Sequence, residues 1–241
     1  MDIVLFAIRR SGNYYISEWL ANNMVDGKFH ELKRSNWGKY GIQYLYHNSL
    51  NYVINDHCIF EKEGGNGPKE VTYRNKYKYN FITIEEGDID VQVDYIEKNR
   101  DTSRKIIYLF LVRDALNNLA SIVNKKNVDL FNPAYKKRYC DYIKEGIGIT
   151  NKCAPKVFIN YNTFTKSKEY RDSIAKQIGV KNYDLQKKSG FSSFTGDGDY
   201  NTRYKRVQYP KNMIDILKDP EVSELTHKIF GMSTIQLLKE S

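Results

Sequence analysis

The residues with most to offer chemistry fall in two short runs, each closing an apolar stretch. The first, Arg9-Arg10-Ser11-Gly12-Asn13, ends the run Ile3–Ile8 and opens into an aromatic-rich, helix-like segment, Tyr14–Met24. The second, Arg113-Asp114, ends Ile106–Val112 and opens into Ala115–Asn124, with Asp114 at the place of an N-cap and Ser121 eight positions after Arg113. Guanidinium groups grip phosphate or sulfate in a two-pronged way. The free N–H groups and the dipole of a helix start favour an anion at the same place. Gly12 lets the backbone come close to that anion, and Ser11 and Asn13 add short polar donors. Arg113 and Ser121 share a helix face but stand ~12 Å apart along the axis if all is helical. They serve one anion only if Arg113 sits in the loop and reaches forward.

These runs need elements to hold them. Apolar runs of the buried-strand type occur at Ile3–Ile8, Asn80–Ile84, Lys105–Val112 and Lys156–Asn160. Helix-like stretches alternate with them: Tyr14–Met24, then Ala115–Asn124 with Leu116, Leu119, Ala120 and Val123 on one face, then Lys166–Ile178 stopping at Gly179. The alternation predicts an α/β fold with a central, mostly parallel sheet flanked by helices. Ligands of such sheets bind at the carboxyl ends of the strands. A length of 241 residues suits a single domain. Residues 56–78, with Gly64, Gly65, Gly67 and Pro68, read as a loop or insertion, and 189–209 as a long lid-like loop. Tyr40, Tyr44, Tyr46 and Tyr52 read first as the core face of an amphipathic helix, and second as the lining of an acceptor cleft. Pro210–Leu238 reads as helices.

Lys and Arg number 38 against 29 acidic residues, a formal charge of +9 that calls for an anionic partner without choosing one. Cys58, Cys140 and Cys153 are an odd number at no metal-like spacing and read as free thiols of a reducing compartment. The four histidines form no zinc pattern, so no metal is expected. No run resembles a signal peptide or reaches the ~20 apolar residues of a membrane span. The expectation is a soluble, cytoplasmic protein with no membrane span and no nucleic-acid partner.

With both arginine runs in view, the chain resembles the sulfotransferases that use 3′-phosphoadenosine 5′-phosphosulfate. That resemblance implies a P-loop NTPase-like sulfotransferase fold. Their first loop typically reads Lys-Ser-Gly-Thr-Thr-Trp and holds the 5′-phosphosulfate. The matching run here is Arg10-Ser11-Gly12-Asn13-Tyr14-Tyr15, preceded by Arg9, with Arg10 in place of the lysine and Tyr15 in place of the adenine-stacking tryptophan. Their second motif puts an arginine at a strand end and a serine eight residues on, both at the 3′-phosphate; Arg113 and Ser121 match it. Weaker matches follow in family order: Tyr161 near the adenine, Ser192-Ser193-Phe194 with Phe194 as a ring at the adenine, and a basic group, Arg203, Lys205 and Arg206, at the 3′-phosphate. The resemblance spans about residues 3 to 206 and makes the nucleotide the sulfate donor.

Sulfuryl transfer needs an in-line acceptor, a positive clamp and a base for the acceptor proton. The resemblance makes Arg10 the clamp. Many relatives place a histidine just after the strand before the second motif; here that place holds Glu85 and Glu86. A carboxylate serves as base if its surroundings suit it. Glu85 is the first candidate, Glu86 close behind, with the two pointing to opposite faces of an extended segment. His57 is the outside candidate. The acceptor is a hydroxyl or amine of a glycan or small molecule. Two other functions stay open. One is a degenerate P-loop nucleotide-binding protein or kinase-like enzyme, which the missing G-x-x-x-x-G-K-[ST] disfavours. The other is a non-enzymatic basic module binding nucleic acid, which the spread of basic residues along the chain disfavours.

Overall fold

A computed structural model describes residues 1–24, 42–48, 79–124, 131, 133–182 and 203–235, with main chain alone at 42–48, 124, 203 and 206. The central strand, β1 (Asp2–Ala7), is buried along its whole length. Its residues alternate between two cores: Val4, Phe6 and then Ile8 on one side, Ile3, Leu5 and Ala7 on the other. A strand covered on both faces has no polar face to keep, which is why its sequence is continuously apolar after Asp2.

Four more strands join it: β2 (Ile42–Asn48), β3 (Tyr79–Glu85), β4 (Ile106–Val112) and β5 (Lys156–Asn160). All pair in parallel, in the order β2-β3-β1-β4-β5. Helices α1 (Asn13–Met24), α5 (Tyr161–Lys166) and α6 (Lys168–Ile178) pack on the Ile3 face. Helices α2 (Ile89–Asn99), α3 (Ala115–Asn124), α4 (Tyr135–Gly146), α7 (Lys211–Lys218) and α8 (Pro220–Phe230) pack on the Val4 face. The expected parallel sheet with helices on both sides is therefore present.

Some expectations change in detail. Tyr44 and Tyr46 lie on the edge strand β2 and not on a helix. The stretch read as one helix from Lys166 breaks at Ser167, whose hydroxyl accepts from the Tyr170 N–H at 3.0 Å and so starts α6 afresh. Gly179 ends α6 in the left-handed region, as its sequence position implied. Of the expected lid-like loop, the described end is docked: Tyr204 donates its N–H to Asn117 Oδ1 at 3.3 Å, and the Tyr209 hydroxyl donates to the Leu116 carbonyl at 3.0 Å. His57, the rest of 56–78 and residues 189–202 lie outside the described residues. Cys140 and Cys153 are free, and burial pushes both thiols up to about 12. No helix among the described residues is long and apolar enough to cross a membrane.

The turn between α4 and β5 closes on one carboxylate. Glu145 is fully buried and accepts from Thr150 Oγ1 at 2.6 Å, Lys156 Nζ at 2.6 Å and the Lys152 N–H at 3.0 Å. Burial alone would raise its carboxyl, but these donors together hold it below its ordinary 4.5. A depressed folded value means stability that is present above pH 4.5 and is lost as pH falls through the folded value. Urea titrations of Glu145→Gln are expected to show a flatter decline than the parent below pH 4.5, and Glu145→Ala is expected to cost about 3–5 kcal/mol at neutral pH.

Candidate functional site

β1 and β4 lie side by side, with Ala7 level with Leu111. The chain leaves β1 toward the β2 edge and leaves β4 toward the β5 edge. Adjacent strands whose connections part in this way open a crevice at their carboxyl ends. The two arginine-bearing runs stand on its two lips.

The β1 lip begins with a tight turn: the Ser11 N–H donates to the Ile8 carbonyl at 3.0 Å. Arg10 sits at the third position of that turn with φ +68°. Glycine is the usual occupant there, because an L side chain in the left-handed region costs ~1–2 kcal/mol. Gly12 follows with φ +93°. The Ile16 N–H donates to the Gly12 carbonyl at 3.1 Å and closes the first turn of α1. Asn13 is buried, Arg9 and Arg10 half-buried, and Tyr14 exposed.

The β4 lip is built from α3. Asp114 is fully buried and caps the helix, accepting from the Asn117 N–H at 2.8 Å; Asn162 Nδ2 at 2.8 Å satisfies its other oxygen. The lips meet where Arg10 Nε donates to Ser121 Oγ at 3.2 Å. Thus Ser121, two turns along α3, is reached from the β1 turn. Arg113 is nearly buried and stacks on Tyr161, its guanidinium carbon 5.6 Å from the ring centroid. The same ring fills the space beside Gly12, where a Cβ would come within 2.0 Å of Tyr161 Cε2. Tyr161 therefore links both lips, and it is itself nearly buried.

Glu85 ends β3, next to the β1 turn. It accepts from Asn13 Nδ2 and pairs with Arg9 across 3.9 Å. Glu86 is also buried, but its φ of +57° breaks the extended run, so the two carboxylates are not simply on opposite faces of a strand. The Glu86 N–H donates to the Ala7 carbonyl at 3.0 Å, and its charge is felt by the Tyr135 and Tyr142 hydroxyls on the α4 side. Glu85 thus meets Arg9 and Asn13, while the charge of Glu86 bears on the buried tyrosines of α4.

Of the other residues expected here, Tyr15 meets Phe164 edge-on at 6.0 Å. Lys205 is exposed over the Tyr204 ring at 5.9 Å, in a short 3₁₀ helix, Arg203–Arg206, docked on α3. The side chains of Arg203 and Arg206, and all of Ser192, Ser193 and Phe194, lie outside the described residues. Sequence reasoning missed Asn118 and Tyr135. Asn118 Nδ2 donates to the Arg9 carbonyl at 2.9 Å and to Ser11 Oγ at 3.0 Å, and its Oδ1 accepts from the Tyr135 hydroxyl at 2.9 Å. Burial first, then Tyr139, Glu86 and Asp114 nearby, hold the Tyr135 phenol well above its ordinary range, so it remains a neutral donor. The available signal was the pair Asn117-Asn118 between apolar residues of α3, where amides are poor helix formers.

No family model matches the chain, and no curated protein does. Among solved structures, the sulfotransferase domain of the olefin synthase from Synechococcus PCC 7002 superimposes with a TM-score of 0.52 at 12% identity, covering 96% of this chain and 95% of that one. At this identity the likeness establishes the fold: an α/β sheet of the sulfotransferase-domain type.

Gly12→Ala is expected to lower the thermal midpoint by several degrees. The left-handed backbone costs ~1–2 kcal/mol and the Tyr161 ring must also yield. Tyr161→Ala in the same chain is expected to relieve the steric part and leave the backbone part.

Proposed function

We propose that this protein is a sulfotransferase that takes a sulfuryl group from 3′-phosphoadenosine 5′-phosphosulfate and passes it to a hydroxyl or amine. The observation that carries this reading is the Arg10–Ser121 hydrogen bond at 3.2 Å, which brings the two anion-type motifs to one crevice. Three guanidiniums, those of Arg9, Arg10 and Arg113, stand beside the start of α1 at that crevice. The donor set suits a ligand that is anionic at both ends and aromatic between. The fold is of the same type as that of a sulfotransferase domain.

In this reading the α1 amides, Arg10 and Asn13 hold the sulfate-bearing end. Arg113 and Ser121 hold the 3′-phosphate, with Lys205, Arg203 and Arg206 as further charge. Tyr15, Tyr161 and Phe194 flank the adenine. When bound, the nucleotide supplies an activated sulfuryl group. The chain's part is electrostatic: fixed positive charge stabilises the charge that grows on the leaving phosphate, in a crevice where water screens little. Arginine remains protonated throughout, so Arg10 stabilises charge and does not donate its proton. Glu85 is the proton acceptor for the attacking hydroxyl or amine, chosen over Glu86 because it pairs with Arg9 and Asn13 of the β1 turn.

Melting curves test the donor. Adenosine 3′,5′-bisphosphate is expected to raise the midpoint clearly, while ATP with Mg²⁺ and a mixed oligonucleotide leave it unmoved. Arg113→Ala is expected to abolish the shift. An equal shift with ATP favours a general P-loop nucleotide protein, and one with the oligonucleotide a nucleic-acid module. For the base, Glu85→Gln is expected to lower sulfate transfer by about 10²–10⁴-fold with binding of the bisphosphate retained. Unchanged turnover removes Glu85 from that role.

A further inference from the structure

The strained Arg10 backbone is bracketed by one side chain. Asn118, on α3, donates both amide hydrogens to the β1 turn: one to the carbonyl of Arg9, the other to the hydroxyl of Ser11. These are the residues on either side of Arg10, whose φ is +68°. The orientation of the Asn118 amide follows from chemistry. A carbonyl only accepts, so the nitrogen must face Arg9, and the oxygen is left to accept from the Tyr135 hydroxyl. Tyr135 is fully buried between Phe131 and Tyr139, with ring centroids at 5.5 and 5.8 Å, and so is itself held in place. Ser11, too, is fully buried, with its hydroxyl against Asn118 under the turn.

From this we infer that Asn118, oriented by Tyr135, is a positioning residue that holds Arg10 in its left-handed conformation and thereby aims the guanidinium across the crevice at Ser121. Without such a hold, a non-glycine residue at the third position of this turn relaxes toward the ordinary right-handed region. The side chain then leaves the crevice, because rotation about φ swings the Cα–Cβ direction with it. Asn118 sits one turn before Ser121 on the same helix. One rigid element therefore supplies both the hold on the turn and the target of the arginine, which keeps their spacing constant. The value to the site is preorganisation: the cost of placing the cation is met in folding and not on binding. The inference rests on the reading of this turn as the anion-holding lip.

Two measurements decide it, and the first does not depend on any ligand. In the parent chain, Arg10→Gly relieves the left-handed strain and is expected to raise the thermal midpoint by about 2–4 °C. In the Asn118→Ala chain, where the turn is free to relax, the same change is expected to gain less than about 1 °C. Equal gains in the two backgrounds mean that Asn118 does not hold Arg10, and overturn the inference. If Asn118→Ala fails to fold, Tyr135→Phe, which removes one hydroxyl, carries the same comparison under the same criterion.

The second measurement is calorimetric affinity for adenosine 3′,5′-bisphosphate. Asn118→Ala is expected to weaken it about tenfold, and Tyr135→Phe about threefold, with no further loss when both are changed. Parent-like affinity in Asn118→Ala overturns the positioning role. A parent chain that does not bind the bisphosphate defeats the sulfotransferase reading and the aim ascribed to the hold, while the strain comparison still decides whether Asn118 holds Arg10.

Discussion

The candidate site depends on the neighbourhood of β1 and β4 at the centre of the sheet. They pair in register, and the chain departs from them in opposite directions. That single topological fact brings turns separated by about a hundred residues of sequence to the same crevice. It also explains why both strands are apolar from Ile3 to Ala7 and from Ile106 to Val112, where two helix layers cover them. They carry the site on their ends and are packed between two helix layers everywhere else.

Around that crevice, polar side chains are used to hold backbone rather than to meet solvent. Asp114, Asn117, Asn118 and Asn162 are engaged with turn amides, carbonyls or one another's side chains, and Asn13 with the Glu85 carboxylate. Buried amides and carboxylates are costly unless their partners are supplied, and here they supply each other. The result is a loop that keeps Arg10 in a left-handed conformation that its side chain disfavours, beside Gly12, which adopts a positive φ freely. At the other end of the sheet, Asp2 plays a plainer part. It accepts from Asn80 and Arg104 and ties β1 to β3 and to the approach to β4, away from the crevice.

The two carboxylates at the end of β3 show how position separates like residues. Glu85 remains in the strand and turns to Asn13 and Arg9; Glu86 bends into the left-handed region and senses the α4 tyrosines. The proposed division of labour follows from that difference in surroundings, since the side chains are chemically the same.

Much of this was legible from local pattern. Continuous apolar runs marked four of the five strands, Gly179 marked a helix end, Asp114 marked a helix start, and Arg9, Arg10 and Arg113 marked the ends of β1 and β4. These are near-neighbour effects: burial on two faces, a cap, a turn. Strand β2 escaped because Tyr40 and Tyr44, four apart, have the spacing of a helix face while Tyr44 and Tyr46 have that of a strand, and its parallel partner β3 is distant in sequence. The grip of Asn118 on the β1 turn and the meeting of Arg10 with Ser121 were decided only by tertiary structure. Sequence separations of 107 to 111 residues carry no periodic signal, and whether an amide in a helix is a poor choice or a clamp depends on what the fold sets opposite it.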